Sequence, residues 1–198
     1  MKKLLIILAV FVGCTNSQTE VVDQPTREIL SESELPEMSL FHLPSTWKTQ
    51  NNETIKLNDL QGNVLVMVMI YTTCQIACPR LVADMRNIEK KVSKKVSQDV
   101  KYVLVSIDPE TDTPERLKAF AKENNMDGDQ WIFLQGTKET TREFASVLAV
   151  KYKQISPMDF SHSNIISVFD QKGELANQQE GLGVDNSETV ETIMRLAK

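Results

Sequence analysis

Two kinds of apolar pattern alternate along the chain. Val64 to Tyr71 (VLVMVMIY) and Tyr102 to Ile107 (YVLVSI) are continuous apolar runs rich in β-branched residues, the mark of strands buried on both faces. Between them, residues 79 to 96 place Leu81, Val82, Met85, Ile88, Val92 and Val96 on one helical face, with Arg, Lys and Glu opposite. Asp108-Pro109 ends the second strand, and Thr113-Pro114-Glu115 supplies an N-cap, a first-position proline and a first-turn acid. These predict a helix to about Asn125. Trp131 to Leu134 follows as a short strand and Thr137 to Val150 as an amphipathic helix. Ile165 to Phe169 and Glu174 to Gln178 flank Asp170-Gln171-Lys172-Gly173, a hairpin turn with glycine where positive φ is needed. Ser187 to Leu196 makes a closing helix, and no internal repeat is visible.

The order strand, helix, strand, helix, hairpin, helix defines an α/β layer arrangement. Its βαβ crossovers make the first strands parallel, and the hairpin adds an antiparallel edge. The order resembles a thioredoxin-like fold, a central mixed sheet flanked by helices. Cys74 and Cys78 then fall where the first central strand gives way to its helix.

Residues 1–14 read as a targeting signal: Lys2 and Lys3 precede ten uncharged, mostly apolar residues, Leu4 to Gly13. That run falls short of the roughly 20 residues of a bilayer-spanning helix. Phe11-Val12-Gly13-Cys14 resembles a lipoprotein box, in which the cysteine is acylated and becomes the new N-terminus. An ordinary signal peptide with an incidental cysteine is the other reading. Acyl chains, at about 0.8 kcal/mol per buried methylene, would hold the protein on a membrane surface. Residues 15–38 are polar, hold six acids against Arg27, and read as a flexible tether. Their charge accounts for the whole-chain net of −5, leaving residues 39–198 close to neutral as one domain. With no basic surplus to neutralise phosphates, nucleic acid is excluded as an expected partner.

Cys74 and Cys78 are the domain's two cysteines. A pair this close closes too small a loop for a structural staple. At a helix N-terminus their thiolates are favoured by unpaired N–H groups and the dipole, so they are placed to bridge or to chelate. Of the two histidines, His42 precedes the first strand and reads as a surface residue, whereas His162 lies just before the Ile165 strand. In a thioredoxin-like fold that segment passes over the cysteine helix, so His162 is a third ligand or a satisfied loop residue. Two thiolates and an imidazole suit copper, as Cu(I) and also Cu(II), better than magnesium or calcium, and zinc would usually recruit a fourth ligand. Asp108, at the end of the adjacent strand, reads either as a group orienting a ligand or as a turn residue before Pro109.

Several pieces together carry a family resemblance: residues 71–79 (YTTCQIACP), residues 105–115 (VSIDPETDTPE), residues 131–136 (WIFLQG), and His162 followed by a strand and the Asp170 to Gly173 turn. The chain resembles the Sco (SenC/PrrC) proteins, copper chaperones of cytochrome c oxidase. The resemblance implies copper bound by Cys74, Cys78 and His162. It implies delivery of that copper to, or reduction of, the copper A site of an oxidase subunit. It also implies traffic with other copper chaperones or thioredoxin-like reductants, and an exported protein lipid-anchored to a bacterial membrane, on its periplasmic or outer face. There are two departures: Ser161 stands where the family often has an acid, and the stretch from Val150 to His162, where the family carries a hairpin insertion, is short and centred on Pro157. The competing reading is a thiol:disulfide oxidoreductase using the Cys74 and Cys78 dithiol without metal. The Cys-x-x-x-Cys spacing and the lack of a proline beside His162 argue against it. A thiol peroxidase is a third reading, echoed faintly by Thr72 and Thr73.

Overall fold

A computed structural model describes residues 29–75, 77–96, 99–157 and 159–197. The signal segment, Cys14 and most of the expected tether lie outside the described residues. In chain order the elements are β1 (Thr46–Thr49), β2 (Thr54–Lys56), β3 (Val64–Ile70), α1 (Ala77–Val92), β4 (Val100–Ser106), α2 (Pro114–Glu123) and β5 (Trp131–Gln135). There follow α3 (Lys138–Val147), β6 (Tyr152–Ser156), β7 (Asp159–His162), β8 (Ile165–Phe169), β9 (Leu175–Glu180) and α4 (Ser187–Leu196).

The first apolar run becomes β3, every residue of which is buried. It sits inside a seven-stranded sheet of order β2-β1-β5-β4-β3-β8-β9. The β3–β4 and β4–β5 pairs are parallel, as the helical crossovers require. Strand β8 returns antiparallel to β3 and pairs with β9 across the expected turn. In that turn Gly173 takes φ +81°, and the Asp170 carboxylate accepts from the N–H groups of Lys172 and Glu174. The result is the mixed sheet flanked by helices that the pattern predicted.

Each helix buries the stripe that defined it. Leu81, Val82, Met85, Ile88 and Val92 of α1 are buried, and so are Leu117 and Phe120 of α2. Helix α2 starts where expected, with Thr113 Oγ1 accepting from the Arg116 N–H at 3.3 Å and Pro114 in the first turn. Phe144 of α3 meets Trp47 edge to face at 5.4 Å, and Phe120 of α2 meets Phe133 of β5 at 6.2 Å.

Three departures from the sequence expectation matter. Strands β1 and β2 form an antiparallel hairpin that extends the sheet beyond β5; four residues of alternating burial are too brief a period to stand out. The stretch ahead of His162 is a second antiparallel hairpin, β6–β7, with Pro157 between its strands. His162 is therefore the last residue of a strand rather than part of a loop. Finally, the end of the expected tether packs on the domain. A 3-10 turn at Glu32–Glu34 brings Leu35 into the core, while the Leu30 N–H donates to Gln61 Oε1 at 3.0 Å. The domain thus starts several residues before 39, anchored by leucines that a polar composition conceals.

Candidate metal centre

Strand β3 delivers the chain to the site at Ile70, opposite Ser106 of β4. The following residues make a tight turn, closed by the Cys74 N–H donating to the Tyr71 carbonyl at 3.3 Å. Helix α1 begins at Ala77, so Cys74 precedes the helix and Cys78 occupies its first turn. First-turn amides have no intrahelical acceptor. Here the Cys78 N–H donates to Cys74 Sγ at 3.2 Å, and the sulfur caps the helix at its positive end, which favours the thiolate. Cys74 is half-buried and Cys78 buried, both present as thiols. Burial pushes the Cys78 thiol well up, and the neighbouring Cys74 and Asp112 charges push the same way.

His162 comes from the far end of hairpin β6–β7. Its Nε2 lies 3.8 Å from Cys78 Sγ and its Nδ1 lies 3.0 Å from the Ser163 carbonyl. A carbonyl only accepts, so Nδ1 carries the proton and the Nε2 lone pair faces the sulfur. Burial lowers the His162 pKa, opposed by its bond to Ser163, which keeps the ring neutral and able to ligate. Tyr71 joins the two halves of the site. Its hydroxyl donates to the Phe160 carbonyl at 3.2 Å, and its ring meets Phe160 at 5.2 Å and the His162 imidazole edge to face at 5.9 Å. Burial, with a hydrogen bond to Cys74, pushes its phenol up to about 12.

The donor set fits a soft metal ion. Sulfur and nitrogen bound at about 2.3 and 2.0 Å with angles of 110–120° lie about 3.5–3.7 Å apart, a little inside the 3.8 Å between Cys78 Sγ and His162 Nε2. Among the described residues no three His, Cys, Asp or Glu side chains are already gathered around a metal position; the Cys74 sulfur rests on the Cys78 amide. A cleft lined by Tyr71, Thr73, Cys74, Gln75, Ile155 and Phe160 opens beside Cys74, so the site is accessible from one side.

Asp108 is buried, but its described bonds are those of a turn. Its N–H donates to Ser106 Oγ at 2.9 Å, and its carbonyl accepts from Thr111 and Asp112. The described partner of the His162 Nδ1 is the Ser163 carbonyl. His42 is exposed and bonds the Pro36 carbonyl at 2.9 Å, apart from the cysteines. Sequence reasoning missed Asp112, fully buried, whose carboxylate accepts from the Thr72 N–H at 3.2 Å, Thr72 Oγ1 at 2.5 Å and Ser106 Oγ at 2.6 Å. Its one signal was an acid inside the turn that links β4 to the Thr113 cap. That position also suits an ordinary turn residue.

A Cys-x-x-x-Cys pair at a helix N-terminus, faced by a histidine from a hairpin over the same sheet end, makes a candidate site on a thioredoxin-like domain. Residues 36–198 match the SCO1/SenC family model, and the chain belongs to that family. It is 36% identical over 103 residues to the SCO1 protein homolog of Bacillus subtilis, a match covering 52% of this chain and 53% of the relative. The chain thus spans about half the length of that relative. A SCO1/SenC family lipoprotein from Bacillus anthracis superposes with a TM-score of 0.71 at 26% identity, covering 77% of this chain and 92% of that one. BsSco, a member of the Sco family of cytochrome c oxidase assembly proteins in which a disulfide switch was identified, gives 0.68 at 25% identity, covering 77% and 90%. Copper-bound ScoI of Arabidopsis thaliana gives 0.68 at 19% identity, covering 76% and 96%, a likeness of fold.

Proposed function

We propose that this protein is a membrane-anchored copper-binding metallochaperone that delivers copper to, or reduces the cysteines of, the copper A site during cytochrome c oxidase assembly. The observation that carries this reading is the 3.8 Å approach of His162 Nε2 to Cys78 Sγ, with Nδ1 committed to the Ser163 carbonyl. Copper is the cargo. Cys74, Cys78 and His162 supply two soft sulfurs and one nitrogen, a low-coordination set suited to Cu(I) and able to hold Cu(II). Metal binding displaces the thiol protons that burial otherwise retains on Cys78. The cleft beside Cys74 gives an acceptor's ligands a route for exchange. The copper-bound ScoI and the oxidase-assembly role of BsSco support the assignment. Acylation of Cys14 would hold the domain at the outer or periplasmic face of a bacterial membrane, and the likeness to a B. anthracis lipoprotein supports this. The partners are the copper A subunit and the copper chaperones or thioredoxin-like reductants that reload the site.

A second reading, a thiol:disulfide oxidoreductase, is favoured by the asymmetry of the pair. Half-buried Cys74 at the helix N-terminus suits a nucleophile, and buried Cys78 a resolving thiol. Copper A loading in cells carrying His162→Ala, Cys74→Ser or Cys78→Ser separates the two. Loss of loading in all three supports copper delivery. Loss in the cysteine variants with normal loading in His162→Ala refutes it in favour of reduction.

A further inference from the structure

His162 rides on hairpin β6–β7, a two-stranded sheet of its own beside the seven-stranded one. Most side chains of this hairpin are exposed or half-buried, so little apolar burial holds it against the domain. Its register aims one backbone group at the cysteine turn. The Ser163 N–H donates to the Lys151 carbonyl at 2.8 Å, and bonded and non-bonded pairs alternate along an antiparallel ladder. Lys153 opposite Ser161 is therefore a bonded pair, and Gln154 opposite Phe160 is not. The Phe160 carbonyl faces away from β6, where it accepts from the Tyr71 hydroxyl at 3.2 Å. Tyr71 is only 4% exposed and stands between β3 and Cys74, at the start of the turn. A carbonyl only accepts, so the one hydroxyl proton is committed to Phe160, and the bond between this hydroxyl and Cys74 is donated by the thiol.

We propose that Tyr71 is a positioning residue: its hydroxyl latches the hairpin to the cysteine turn, keeps His162 over Cys78, and so sets how fast bound copper is given up. The inference deepens the proposed function and rests on copper being the cargo of Cys74, Cys78 and His162. The latch grips β7 close to His162, whose ring packs edge to face on Tyr71 at 5.9 Å and whose Nε2 lies 3.8 Å from Cys78 Sγ. When the hairpin swings away, the imidazole leaves with it and two sulfurs remain to hold the ion. A ligand of the acceptor then takes the vacated position. Copper moves as Cu(I) throughout: its bond to nitrogen and then its bonds to both sulfurs are exchanged for bonds to the acceptor, the sulfurs take protons from solvent, and no electron is transferred. Tyr71 and Phe160 both line the cleft beside Cys74, so an acceptor entering there meets the latch.

The test is Tyr71→Phe in the full chain, alone and combined with His162→Ala; the substitution keeps the ring and removes the hydroxyl. Without metal, hydrogen–deuterium exchange of the β6 and β7 amides is expected to quicken about fivefold, the factor that one neutral hydrogen bond is worth, with the β3 and β4 amides unchanged. Loaded with Cu(I), the variant is expected to pass its metal to the chelator bicinchoninate about fivefold faster than wild type. In the His162→Ala background Tyr71→Phe is expected to leave the transfer rate unaltered, because a latch acts only through the histidine it positions. A general loosening, or a direct effect of the hydroxyl on Cys74, would quicken both backgrounds alike. Equal acceleration in the two backgrounds therefore overturns the proposal, and so does hairpin exchange or copper transfer unchanged by Tyr71→Phe alone. A wild-type chain that holds no Cu(I) is a different failure: it overturns the proposed function, whatever the hairpin exchange shows.

Discussion

Replacing Asp112 with alanine removes the acceptor of three buried donors: the Thr72 N–H, the Thr72 hydroxyl and the Ser106 hydroxyl. Hydrogen bonds to a charged group are each worth about 1.5–3 kcal/mol, so the gross loss for three is about 4.5–9 kcal/mol. Two effects return part of it: the cost of burying a carboxylate disappears, and water entering the vacated space satisfies some of the donors. A net destabilisation of about 3 kcal/mol remains, the low end of the range for breaking a buried charged network. At a urea slope of about 2 kcal/mol/M this lowers the denaturation midpoint by about 1.5 M. Urea titration of the metal-free chain by far-UV circular dichroism measures it. A midpoint within about 0.3 M of wild type would refute the reasoning, because three orphaned donors cannot be that cheap.

Three other expectations follow from the same geometry. His162 has a folded pKa below its unfolded value; the unfolded chain therefore binds the extra proton first, and stability is lost as pH falls from about 6.5 through the folded pKa. His162→Asn should lose less stability than wild type between pH 7 and pH 5 in urea titrations, and equal losses would contradict the buried neutral ring. Gly173→Ala demands a Cβ at φ +81°, 2.6 Å from Ser39 Oγ and 2.8 Å from Phe41 Cδ2, and should cost about 2 kcal/mol or more by urea titration; a neutral effect would deny that the turn needs glycine. Iodoacetamide should label half-buried Cys74 at least tenfold faster than buried Cys78 in peptide mapping, and equal rates would undo the nucleophile and resolving-thiol asymmetry.

What the sequence disclosed, and what it hid, divides along physical lines. The VLVMVMIY run could be nothing but a strand covered on both faces, and Thr113-Pro114-Glu115 could hardly be anything but a helix start. Helix α4 begins and ends at the residues expected. Hairpin β6–β7 was hidden because its side chains are mostly exposed, so no apolar period marks it, and its order comes from backbone pairing and from Phe160 against Tyr71. His162 stood out as a candidate through its chemistry and its place before a strand; its facing Cys78, 84 residues away, followed from fold alone. Asp112 stayed invisible, since a buried acid held by two hydroxyls and an amide looks in one dimension like any acid in a turn. The Ser163 carbonyl that partners His162 Nδ1 is a backbone group that no side-chain motif encodes.

The most direct test of the account is copper titration of the reduced full chain, with stoichiometry and X-ray absorption compared for wild type and His162→Ala. One tightly held copper with two sulfur ligands and one nitrogen, the nitrogen lost in the variant, is the result predicted. Weak or non-stoichiometric copper unaffected by the substitution would contradict it, leaving His162 a structural residue and the cysteines a dithiol without metal.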